Sequence, residues 1–285
     1  MAQKLEESHF DVVIKPPRGR LELDLHELWD YRDMLALLVR REFVANYKQS
    51  ILGPAWAVVQ PIISSLILAF TFGNLAGLSP SGIPTFLFYM AGQIAWQFFS
   101  GCITSTSKTY INNLALMSKV YFPRFVVPLA SVLSQLLSLG IKCVLFFIFY
   151  LGYKLAGADI APDPTLALIP LYLLHIGILG LGAGALLSSF TTKYRDVMII
   201  VDYGITLWMY LTPILYDYAT IPASALDIYL LNPLTPIFIH IQSALFGGGM
   251  FYWGHYLISL CISIALLIIG YRVFNRTART FVDTI

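Results

Sequence analysis

RREFVANYKQSILGPAWAVVQP, residues 40–61, carries a basic segment through a Gly53-Pro54 break into the first long apolar run of the chain. Working back from it, residues 28–48 at the helical angle place Leu28, Tyr31, Leu35, Leu38, Val39 and Phe43 on one face, and Asp30, Asp33, Arg40, Arg41 and Lys48 roughly opposite. This pattern predicts an amphipathic helix over 25–50 that lies in a membrane interface, its basic last turns against an anionic leaflet. The stretch 1–24 has Lys4, Lys15, Arg18, Arg20 and Pro16-Pro17 without apolar periodicity. It is expected to be a cytoplasmic tail without regular structure. The first 50 residues are too polar for a secretory signal, and the apolar run after them is too long for one.

Working forward, the composition explains the break. Hydrophobic residues make up 58% of the 285 and charged residues 12%, against about 25% charged in a soluble domain, and the mean hydropathy is +0.72. The expected class is an all-α integral membrane protein, with no sign of a nucleic-acid partner. A crossing helix needs about 20 mainly apolar residues, and six runs qualify within 51–272: 54–77, 83–107, 125–153, 165–190, 197–216 and 250–271. The third exceeds one straight crossing, and Pro128 near its start predicts a kink or a tilted approach. Gly180 and Gly184 in the fourth give a small-xxx-small pattern that admits a close neighbour.

Sixteen of the 18 Lys and Arg fall before the first run, in 108–124, at 193 and 195, or after the sixth run; Lys142 and Lys154 are the others. The segments 78–82, 155–164 and 217–249 have none. By the positive-inside rule both termini, including 273–285, face the cytoplasm and those three segments face outward. Within 217–249 the short apolar stretches 226–231 and 237–246 are split by Asn232-Pro233 and Pro236. Neither can cross alone, so a re-entrant or interfacial helical hairpin is expected between spans five and six. It could be a gate or a plain outer cap.

Several chemistries are missing from the sequence. There is no GxxxxGK[ST], HExxH or GxSxG, so the chain is not expected to be an enzyme, to hold a metal or cofactor, or to bind ATP through a P-loop. Cys102, Cys143 and Cys261 sit singly in apolar runs and read as small buried hydrophobes. The five histidines lack ligand spacing. Lys142 and Asp202 are intramembrane charges, costly and therefore notable. Paired or snorkelling charges are the preferred reading, and the sharper one has the two interacting or sharing a wet path. Aromatics reach 14%, and Phe70, Tyr89, Trp96, Phe99, Tyr203, Trp208 and Tyr210 are candidate linings of a sugar path. Core and interface-belt roles compete for each ring.

Taken together, LWDYRDMLALLVRREFVANYKQSILGPAWAVVQP, MAGQIAWQFFSGCITSTSKTYINNLALMSKVYFPRFVVPL, KYRDV, TPILY and NPLTP resemble the type-2 ABC exporter permeases that move O-antigen, capsule and teichoic-acid polysaccharides. The resemblance implies a homodimer in the bacterial inner membrane and a separate ATPase subunit that binds ATP and Mg. It also implies a substrate glycan linked to polyprenyl pyrophosphate, with membrane lipids around the complex. The loop 108–124 would then be the coupling loop, with Tyr110, Asn112, Asn113, Leu116 and Lys119 touching the ATPase. Arg40, Arg41, Glu42 and Lys48 would flank the ATPase and the lipid head group, and the 217–249 hairpin would be an external gate. Glu42 falls on the otherwise apolar face and is expected to be paired. Export of a small lipid or drug, and ion-coupled secondary transport, are the alternatives the sequence leaves open. A membrane glycosyltransferase is disfavoured by the lack of a matched acidic pair in the outward segments.

Overall fold

A computed structural model describes residues 29–48, 53–80, 82–120, 122–194 and 196–283, and every regular element among them is helical. The expected tail 1–24, positions 25–28 and 49–50 of the interface helix, and the last two residues lie outside the described residues. Helix α1 spans Arg32–Tyr47 and lies against α6, Val126–Leu155. Leu38 is buried there, with Tyr31, Met34, Leu35 and Val39 packed around it. One face of the helix is thereby packed against α6, as its periodicity requires.

Gly53, with φ of 51°, opens the turn into α2, Trp56–Leu68, which continues as a π-helical stretch over Ala69–Leu75. Pro61 inside α2 takes a backbone donor out of the helix, and Ser65 donates to the Pro61 carbonyl at 2.6 Å. Helix α3, Thr85–Ser107, is the hub, with Phe88, Tyr89, Met90, Phe99 and Cys102 all buried. Two short helices, α4 (Thr109–Asn112) and α5 (Leu114–Lys119), lead to α6. Pro128 falls at the third residue of α6. It lies in the first turn, where a missing N–H leaves no helical bond unmade.

Helix α7, Ile169–Thr191, is capped ahead by a 3-10 turn whose Asp163 side chain accepts from the Thr165 amide at 2.9 Å. It lies between α3 and α11, Trp253–Asp283. A Cβ at Gly180 would stand 2.7 Å from Cys102 Cβ, and one at Gly184 2.7 Å from Thr106 Cβ, so both glycines seat α7 on α3. Gly182 faces the other way, where a Cβ would lie 2.6 Å from the Leu267 amide of α11. Small residues on both faces let three backbones stack closely.

Among the described residues, four helices are long and apolar enough to cross a membrane: Trp56–Leu75, Val126–Leu155, Pro164–Thr191 and Trp253–Ala278, with mean hydropathies of 1.7 to 2.3. Helix α3 has 23 residues but carries Gln93, Gln97 and a Ser/Thr run at 104–107, which its neighbours enclose. Helix α8, Asp196–Tyr210, has 15 residues, roughly 22 Å of rise against a hydrocarbon core of about 30 Å. The expected fifth span therefore ends early, and 211–217 is a turn-rich link to a 3-10 turn at Tyr218–Thr220. Beyond it, α9 (Ala223–Leu230) and α10 (Leu234–Phe246) meet at 107°, a helical hairpin at the expected place. The 273–283 portion of the expected C-terminal tail continues α11 without a break.

Candidate functional site

Five side chains fasten the loop between α3 and α6 to the rest of the molecule. Tyr110 is only 1% exposed; its ring stacks on Phe274 of α11 at 4.6 Å and its hydroxyl donates to the Phe274 carbonyl at 2.6 Å. Asn113 is buried; it accepts from the Arg41 guanidinium of α1 and donates to the Thr109 carbonyl at 3.2 Å. Arg124 donates to the Ala278 carbonyl near the end of α11, and Phe125 sits edge-on to Tyr271 and Phe274. Lys108 pairs with Asp202 of α8 at 3.2 Å, a half-exposed contact of modest energy. One loop is thus joined to α1, α8 and α11, and any displacement of it acts on all three.

Thr109, Met117 and Phe122 are also buried, while other side chains of the loop face outward. Ile111, Asn112, Leu114, Ser118, Lys119 and Val120 are exposed, and Leu116 is half-buried. Tyr110 and Asn113, expected to touch the ATPase, are both buried and held in internal contacts. Asn112 and Lys119 remain available, joined by Ile111, Leu114 and Val120.

Arg40 and Arg41 on α1, and Lys48 just after it, are exposed. Glu42 is half-buried and accepts from Ser131 of α6 at 3.0 Å. Its burial raises the carboxyl above its ordinary value, against smaller opposite pulls from Ser131 and Arg41.

The intramembrane charges do not meet. Lys142 donates to Gln97 of α3 at 2.8 Å, while Asp202 takes Lys108. The aromatic candidates also divide. Tyr89, Trp96 and Phe99 are buried in α3, with the Tyr89 hydroxyl donating to the Leu215 carbonyl at 3.1 Å. Trp208 packs edge-on to Phe99 at 5.3 Å and donates its indole N–H to Asn232 at 2.9 Å. These four, expected to line a path, are held in packing contacts within the subunit. Phe70, Tyr203 and Tyr210 are exposed.

Asn232 is more than the helix breaker its sequence context suggests. Besides taking the Trp208 indole, it accepts from the Leu234 amide at 3.2 Å and donates to the Leu211 carbonyl at 2.9 Å. Asparagine just ahead of a helix is a capping signal, so part of this is readable from sequence. Gln242 donates to the Pro213 carbonyl at 2.7 Å and Tyr150 to the Leu245 carbonyl at 2.7 Å. Every residue of α10 is buried, so the hairpin has a fixed inner arm and an exposed outer arm, α9.

A multi-pass helical membrane protein with a helix packed along one long span and a loop braced against three others is the class these features define. The profile of the ABC-2 type transporter family matches residues 34–246, and the chain belongs to that family. It is 28% identical over 257 residues to an O-antigen export system permease protein RfbA of Klebsiella pneumoniae, covering 88% of this chain and 94% of the relative. To a Myxococcus xanthus protein of the same description it is 26% identical over 264 residues, covering 92% of this chain and 98% of the relative.

Proposed function

We propose that this chain is the permease subunit of an ATP-driven exporter of lipid-linked polysaccharide in the bacterial inner membrane. It works as a homodimer, each copy crossing the membrane six times with both termini in the cytoplasm. A separate nucleotide-binding subunit supplies ATP hydrolysis and holds ATP and Mg. The observation that carries this reading is the loop after α3, which exposes Ile111, Leu114 and Val120 among Asn112, Ser118 and Lys119 and is tied behind to α1, α8 and α11. Such a loop turns the movement of a docked ATPase into movement of the transmembrane helices. Family membership and the O-antigen export relatives support the cargo class. The hairpin of α9 and α10 would close the outer end, α9 being the arm free to move, while Phe70, Tyr203 and Tyr210 offer rings toward the path.

The test is purification of the tagged chain from its host in mild detergent, with identification of whatever accompanies it. A stoichiometric Walker-motif protein is expected, lost when Leu114 is replaced by Asp. A chain that dimerises without any ATPase and transports on an ion gradient would overturn the proposal.

A further inference from the structure

Between α1 and α6 lies a cleft of about 460 Å³, where Arg32, Val39 and Arg40 face Leu133, Leu136 and Leu137. Its walls are almost wholly apolar, and its charge comes from two arginines two helical turns apart on α1. Asp33 does not line it. Arg32 lies 5.9 Å from the ring centroid of Trp29, which is itself exposed, a pairing suited to the head-group level of a bilayer. From Leu137 the apolar wall runs on along α6 through exposed Val144, Ile148 and Leu151. Leu137 to Ile148 rises roughly 16 Å, about the depth of one leaflet.

We infer that this cleft binds one phospholipid with an anionic head group, its phosphate between Arg32 and Arg40 and an acyl chain along Leu136, Leu137 and Val144. Charge complementarity selects the head group, and the unbroken apolar lane selects a lipid over a soluble anion. Because α1 also holds Glu42 against Ser131 and Arg41 against Asn113, the lipid wedges the interface helix at a set distance from α6. The inference needs only a bilayer around the chain and does not depend on the cargo.

Native mass spectrometry of the full chain in detergent, titrated with phosphatidylglycerol or phosphatidylcholine, tests it. The wild type should retain one phosphatidylglycerol about tenfold better than phosphatidylcholine. The preference should vanish in an R32Q/R40Q variant. A second variant, Leu137→Trp, keeps both arginines but fills the cleft, and should lose retention of the bound lipid. Equal retention of the two lipids by the wild type, or unchanged phosphatidylglycerol retention in Leu137→Trp, overturns the inference. Displacement by equimolar polyprenyl phosphate would also overturn it, assigning the cleft to a carrier lipid.

Discussion

Glu42 shows how much a single position discloses through its place in a helical pattern. A carboxylate on the apolar face of a helix requires a partner, and that requirement is legible in the sequence; the identity of Ser131, 89 positions away, is not, since only packing brings α6 to α1. Burial raises the Glu42 carboxyl above its ordinary 4.5, so the folded chain holds a proton that the unfolded chain releases. Stability therefore falls as pH rises from about 4.5 through the folded value, and the penalty is absent below that window. Glu42→Gln should show a flatter profile, so that its advantage in Tm at pH 7 shrinks toward pH 4.5 in detergent melts. Lys142 and Asp202 stand out for the same reason of cost, yet no pattern in the chain says that their partners are Gln97 and Lys108. Lys142→Met should lose about 1–3 kcal/mol by leaving the Gln97 oxygen unpaired. The double variant with Gln97→Leu should recover part of that loss, as denaturant titration of the purified protein would show.

At the scale of the helix, the run GILGLGAGA announces close approach but not to what. Its glycines alternate in duty, Gly180 and Gly184 toward α3 and Gly182 toward α11, because a turn of 3.6 residues sends neighbouring positions to different faces. Gly182→Ala would drive a methyl into the backbone of Leu266 and Leu267, where no side chain can give way. A loss of about 1–3 kcal/mol follows. Gly140, where an added Cβ would meet nothing within 4 Å, serves as the control: Gly140→Ala should be neutral or gain up to about 1 kcal/mol. Thermal unfolding of both variants in the same detergent separates the cases. Helix lengths are less legible than helix positions. The fifth apolar run continues through 216 in sequence, but Pro213 and the needs of the hairpin end α8 at Tyr210.

For the whole molecule, two exposed faces ask for different neighbours. The α6 face of Val144, Phe147, Ile148 and Leu151 is purely apolar, and lipid tails satisfy it. The α8 face also exposes Ile199, Ile200, Tyr203, Leu207 and Tyr210, but it mixes them with Asp202 and Thr206, and a charge and hydroxyls are poorly matched to hydrocarbon. Within one copy, α8 buries only Val201 and Ile205, which leaves the helix weakly held. In the proposed homodimer, a second copy or a wet path along the two-fold axis would resolve both problems. Cysteines placed singly at 199, 200, 203 and 207, in a chain lacking its three native cysteines, test this in native membranes. At least one should form an intermolecular disulfide, which requires Cα atoms within about 7 Å, whereas cysteines at 144 and 148 should form none. Crosslinking confined to 144 and 148 would instead place the second copy on α6, over the cleft beside α1, and leave α8 facing lipid.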